Sequence, residues 1–133
     1  MILVGFDQNR HWGLQEGETT LPELLRRSGY STGIAGKWHL GYREQYNPLL
    51  RGFDFFRGFV GGNIDYQSHI DRAGVYDWWN GQKTTVEDGY ATNLITNHAL
   101  QFIQENRTRP FFLLVAHAAP HFPYQGPEDP AFR

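Results

Sequence analysis

The sequence contains no cysteine. That excludes disulfides, thiolate metal sites and a cysteine nucleophile, and leaves the redox compartment open. It also lacks any apolar run near the roughly 18 residues that a membrane-crossing helix requires. The apolar start, residues 1–5, is too short for a secretory core and has no basic stretch before it, so no localisation signal is expected in this chain. Neither sign of charge dominates: 12 Lys and Arg against 14 Asp and Glu give a formal net charge of −2. No global field therefore recruits nucleic acid or an anionic membrane, and any anion site must be local. No internal repeat or low-complexity tract is present.

Aromatic rings are abundant, at 16% of the chain, and they concentrate between Phe53 and Trp79. Rings at that density must be buried or cover a ligand, which argues against disorder. At 133 residues the chain can form one domain with a modest core.

Two helix-then-strand units stand out. In the first, Thr20 suits an N-cap, Pro22 falls in the first turn, and Leu21, Leu24 and Leu25 supply an apolar stripe. Gly29 suits the left-handed closing position, with Arg26 and Arg27 in the last turn. Residues 30–35 then read as a strand ended by Gly36. In the second unit, Ala91, Leu94, Ile95, His98, Phe102 and Ile103 recur at helical spacing over about residues 87–105. A polar loop and Pro110 follow. The apolar run 111–116 is what a parallel strand buried on both faces would show. Between the units, residues 75–79 and 82–86 flank Asn80-Gly81, a hairpin signal because a type I′ turn needs positive φ twice. Residues 120–130, with four prolines, read as an irregular surface loop. The order predicts an α/β layered fold with a mainly parallel sheet and an inserted hairpin.

Ligands of open α/β sheets bind outside the carboxyl ends of the strands. That rule selects residues 36–41 and 117–124. On an extended backbone Lys37 and His39 would project to one side, and His121 sits between Pro120 and Pro123, which restrict the backbone. If the strands are neighbours, a lysine and two histidines converge. An ammonium neutralises the oxygens of a sulfate or phosphate ester, and a histidine can pass its proton to the leaving alcohol. Alone, a Lys-x-His pair is more often surface decoration.

The run Thr32-Gly33-Ile34-Ala35-Gly36-Lys37-Trp38-His39-Leu40-Gly41, preceded by Thr20-Leu21-Pro22-Glu23-Leu24-Leu25, closely resembles the second signature of the sulfatase family. The resemblance continues through Gly52-Phe53-Asp54, Gly61-Gly62-Asn63-Ile64-Asp65-Tyr66 and Asp88-Gly89-Tyr90-Ala91-Thr92. It ends in Pro110-Phe111-Phe112-Leu113 and Ala119-Pro120-His121-Phe122-Pro123. It implies an alkaline-phosphatase-like fold and a sulfuric ester hydrolase. It implies that Lys37 contacts the sulfate and the nucleophile, that His39 hydrogen-bonds the hydrated formylglycine, and that His121 lies by the leaving-group oxygen. Ser68, and with it His69, falls near a family position that touches substrate. The implied partner is a sulfated small molecule or carbohydrate, and the implied setting of a full-length protein is periplasmic, secreted or lysosomal.

The family's nucleophile motif, Cys/Ser-x-Pro-Ser-Arg, does not occur in the sequence, and its calcium-binding aspartates and Asp-Asn pair are also missing. Residues 1–133 are therefore expected to be a partial catalytic domain, truncated at both ends, with no metal ligands of its own and negligible activity alone. The rival readings are a phosphoesterase or phosphonate monoester hydrolase of the same superfamily, and a non-catalytic anion-binding remnant.

Several polar residues have plainer readings. His98 falls on the apolar face of its helix and His117 reads as a supporting or core histidine. His11, Asp71, Asp77, Glu87 and Asp88 read as solvated or hairpin positions. Asp65 and His69 do not have diagnostic metal spacing. Trp78 and Trp79 should pack on opposite faces of the hairpin, one of them a candidate for stacking on a sugar.

Overall fold

Both helix-then-strand units are present in the computed structural model, which describes residues 12–133. The readings of residues 1–5 and of His11 lie outside the described residues. The first helix, α1 (Leu21–Arg27), opens with a capping box: Glu23 N donates to Thr20 Oγ1, and Thr20 N donates to the Glu23 carboxylate. Gly29, at φ 86°, closes it. The expected apolar stripe is not buried, since Leu21 is 56% and Leu24 50% exposed. The inward side of this short helix is instead Pro22 and Glu23, whose carboxylate also faces the buried Arg51 at 4.0 Å.

Strands β1 (Ser31–Lys37), β2 (Phe55–Phe59), β3 (Trp79–Asn80), β4 (Lys83–Thr84) and β5 (Phe111–Ala116) form one sheet in the order β4-β3-β2-β1-β5. β1 runs parallel to both β2 and β5, while β3 and β4 add an antiparallel hairpin beside β2. The mainly parallel sheet with an inserted hairpin is thus present. β1 continues two residues past the expected end, through Gly36 at φ 112° to Lys37. A Cβ there would lie 2.0 Å from the Ala116 carbonyl oxygen, so only glycine lets β1 and β5 approach this closely.

The hairpin turn sits one residue later than predicted. Asn80 pairs with Lys83, leaving Gly81-Gln82 as the loop. Gly81 has φ 62° and Gln82 has no positive φ, which is the type II′ pattern with glycine first.

Side chains alternate across the sheet. Ala35, Phe59 and Trp78 pack on one face against Ile95 and Ala99 of α2 (Ala91–Asn106). Ile34, Phe56 and Val60 pack on the other with Trp38 and Phe53. Trp78 and Trp79 belong to different faces, as predicted, because Trp79 packs against the second cluster. The expectation for β5 is corrected. Among the described residues it pairs only with β1, and Leu114 and Val115 are 41% and 42% exposed, so β5 is an edge strand rather than a doubly covered one.

Candidate functional site

Because β1, β2 and β5 are parallel neighbours, the segments that follow them emerge on one side of the sheet. These are Trp38-His39 after β1, Val60 to Asn63 after β2, and residues 117–121 after β5.

The first two are stitched together: Trp38 N donates to Phe59 O at 2.9 Å and His39 N to Val60 O at 3.1 Å. Trp38 is buried, and its indole N–H donates to Tyr46 O at 2.8 Å. The extended geometry expected for Lys37-x-His39 does not continue. His39 adopts φ 57° and its imidazole turns onto Gly62, where a Cβ would meet Nε2 at 2.4 Å. Lys37, half-buried at the end of β1, has its ammonium pushed below the ordinary value by that burial.

The second stitch joins β2 to the loop after β5. Asn63 Nδ2 lies 3.0 Å from His121 Nδ1 and also donates to Phe122 O. Asn63 Oδ1 accepts from the Arg133 guanidinium at 3.0 Å. That contact and the bond to Phe122 O orient the amide, so Nδ1 of His121 stands between a donor, Asn63 Nδ2, and an acceptor, the Phe122 carbonyl, and either tautomer has a partner there. On protonation, Nδ1–H has the Phe122 carbonyl at 3.0 Å as acceptor. The Tyr66 hydroxyl holds the His121 carbonyl at 2.5 Å. His121 is exposed.

One loop, Gly62-Asn63, therefore touches both predicted catalytic histidines. It is in turn held by Asp77, which was read from sequence as a hairpin position and is in fact buried. Asp77 accepts from Val60 N at 3.0 Å, Gly61 N at 2.8 Å and the Trp79 indole N–H at 2.6 Å. Burial pushes its carboxyl pKa up, against the opposing effect of these donors.

Asn63 and Asp77 are the two residues that sequence reasoning missed. The signal for Asn63 depends on β2: a strand over the aromatic run before Gly61-Gly62, which Gly58 masks in the sequence, puts the next polar residue at the sheet's carboxyl end.

Ser68 lies in the turn after Tyr66, with its amide donating to Asp65 Oδ1 at 3.0 Å. Its hydroxyl is buried and has no hydrogen-bond partner. His117 is exposed, which corrects the core reading. His98 is buried, as expected, and its Nε2 is 2.8 Å from Glu87 Oε2. Asp71 is buried and caps a turn by accepting from Ala73 N and Val75 N, and Glu87 is half-buried, so neither is a solvated position. His69 stacks on Trp78 at 4.4 Å. The Asp65 carboxylate is engaged by the backbone N–H groups of Gln67, Ser68, Phe132 and Arg133. Among the described residues no group of three or more His, Asp or Glu side chains could hold a metal. With Asp65 and Asp77 both committed to N–H donors, these residues do not fit the calcium site that the resemblance implies.

The sulfatase family profile matches residues 1–132. Arylsulfatase J of Mus musculus is 41% identical over 117 residues, covering 81% of this chain and 20% of that protein. N-acetylgalactosamine-6-sulfatase of Mus musculus is 39% identical over 126 residues, covering 84% and 24%. The crystal structure of Ps i-CgsB in complex with k-i-k-neocarrahexaose superposes with a TM-score of 0.77 at 30% identity, covering 86% of this chain and 29% of that one. The structure of BT4656 in complex with its substrate D-glucosamine-2-N,6-O-disulfate gives 0.68 at 31%, covering 88% and 22%. The chain thus spans between a fifth and a quarter of these two curated relatives. By the profile match and these likenesses, the chain belongs to the sulfatase family.

Proposed function

We propose that residues 1–133 form part of the catalytic domain of a sulfuric ester hydrolase acting on sulfated carbohydrate, and that they supply one wall of its sulfate site. The observation that carries this reading is the Gly62-Asn63 loop, which braces His39 on one side and His121 on the other. Lys37 would neutralise the sulfate oxygens. Its depressed pKa reflects an ammonium partly stripped of water, and such a group interacts strongly with an anion. Protonated at both ring nitrogens, His121 would deliver the Nε2 proton to the departing alcohol, and the Nδ1–H that remains would donate to the Phe122 carbonyl. His39, seated on Gly62, would hydrogen-bond the hydrated formylglycine of a full-length enzyme, and Ser68 is the weakest of the proposed contacts because its hydroxyl is buried. The family's nucleophile motif does not occur in the sequence, so the bond-making step is not assigned to this chain.

The test is titration of the labelled chain with inorganic sulfate, followed by NMR. Saturable shifts at His39 and His121 that Lys37→Ala abolishes are expected, with no detectable turnover of an aryl sulfate. Shifts that persist unchanged in Lys37→Ala would sink the assignment of Lys37. Robust turnover would show that this chain holds a nucleophile that the reading denies it.

A further inference from the structure

A cavity of about 220 Å³ adjoins the loop that carries the site and is lined by none of Lys37, His39 or His121. Its walls are Tyr42, Arg43, Glu44, Asn47, Trp79 and Gln82, with Val60 between it and the loop. We propose that this cavity is a subsite for an uncharged sugar ring, next to the ring whose sulfate ester lies at Lys37, His39 and His121. The proposal rests on the reading of the site as a carbohydrate sulfatase.

The chemistry of the lining selects the ligand. Two aromatic side chains offer apolar surface to the C–H faces of a pyranose. Around them stand a carboxylate, a guanidinium and a primary amide, which together donate to and accept from hydroxyl groups. One cation and one anion leave the lining without net charge, so it suits a neutral hydroxylated ring better than a second sulfate. Asn47 is buried with its amide already committed, donating to Gly81 O at 3.0 Å and accepting from Leu49 N at 3.0 Å. It braces the wall. The volume is below the roughly 300–1,000 Å³ typical of drug-sized ligands and suits a single ring.

Position links this cavity to the sulfate site. Val60 lines it, and Gly62, two residues on, carries the His39 ring. Two peptide units span at most about 7 Å, within reach of adjoining rings of one oligosaccharide. The two places also share a support. Asp77 Oδ1 accepts both from the Trp79 indole N–H at 2.6 Å and from Val60 N at 3.0 Å, so one carboxylate fixes the aromatic wall and the loop. Trp78, the other candidate for stacking, is fully buried and cannot reach a sugar.

The test is an NMR titration of the 133-residue chain, with the Trp79 indole N–H assigned through Trp79→Phe. The probes are inorganic sulfate, two unsulfated hexasaccharides (one galactose-based, one glucosamine-based) and their sulfated forms. At least one unsulfated hexasaccharide should move the Trp79 indole and Gln82 amide signals while His39 stays unmoved. Inorganic sulfate should do the reverse. The matching sulfated hexasaccharide should move both sets and bind at least about 10-fold more tightly than either probe alone, because its two ends are linked. Gln82→Ala and Glu44→Ala, both at exposed positions, should each weaken the hexasaccharide about 3- to 10-fold. If neither unsulfated sugar moves Trp79, and the sulfated forms move only His39 and His121, the subsite is refuted and the sulfatase reading stands. If sugars move Trp79 but sulfate leaves His39 and His121 unmoved, the sulfate site fails and the sugar cavity survives.

Discussion

Two glycines, one inside β1 and one in the loop after β2, illustrate how differently one methyl group can act. At Gly36 a Cβ would strike the Ala116 backbone oxygen at 2.0 Å, and φ is 112°. Backbone cannot step aside, so Gly36→Ala should cost about 3 kcal/mol or more in urea denaturation. At Gly62 the nearest atom is His39 Nε2, at 2.4 Å, and φ is not positive. The end of a side chain can swing away. Gly62→Ala should therefore change stability by no more than about 1 kcal/mol, yet displace the His39 imidazole and weaken sulfate binding about 3- to 10-fold. Unchanged His39 resonances in a folded Gly62→Ala chain would refute the seating of the ring. Asn63 acts on His121 in a comparable way. Asn63→Ala removes the donor facing Nδ1 and leaves the Phe122 carbonyl, so the ring ¹⁵N shifts of His121 should move towards a pattern protonated at Nδ1. A pattern identical to the parent chain would mean that Asn63 does not set the tautomer.

At the scale of elements, the hairpin and α2 are joined through Glu87. Its Oε2 accepts from the Trp78 indole N–H and from His98 Nε2, each at 2.8 Å. Burial alone would raise the Glu87 pKa. The Trp78 and His98 hydrogen bonds, with the charges of His98 and Arg57, outweigh it and hold the pKa below the ordinary 4.5. A depressed carboxyl pKa contributes stability that is present above 4.5 and is lost as pH falls through the folded value. His69, pushed below its ordinary 6.5 by burial, works in the same direction from a higher pH. Thermal stability should thus decline in acid, first below about 6.5 and again below about 4.5. Glu87→Gln should cost about 1–2 kcal/mol at neutral pH, the lower part of the range for charged hydrogen bonds because the side chain is 28% exposed. It should also flatten the second decline. Parallel pH profiles for variant and parent would refute the linkage. The same elements mark what could be read from sequence. β1, β5 and α2 were legible because their runs or periods are local properties of the chain. β2 was not, because Gly58 weakens the strand signal. It is needed only because a Cβ there would sit 2.1 Å from Gly36 O on the neighbouring strand. Asp77 was misread for a similar reason: the amides it accepts from lie 16 and 17 residues earlier. No spacing rule marks it. Lys37, His39 and His121 could be singled out because strand order and family motif point to the same sheet end.

At the scale of the whole chain, the two edges of the sheet differ among the described residues. Beyond β2 the hairpin strands are only two residues each, and Lys83 sits on the outermost one, a short charged edge that discourages pairing. β5 is the opposite case: six residues, wholly apolar, with Phe111, Leu114 and Val115 each 36% to 42% exposed and no second strand partner among the described residues. Odd and even positions of β5 face opposite sides of the sheet, so apolar surface is exposed on both. Such an edge is a template for another strand. The purified chain should therefore associate as its concentration rises, in sedimentation velocity, with added β-structure in the associated fraction. Leu114→Lys or Val115→Lys should hold it monomeric, and either should cost no more than about 1 kcal/mol because both positions are already partly solvated. A parent chain that stays monomeric at every concentration, with lysine variants indistinguishable from it, would mean that the β5 edge is blocked in solution.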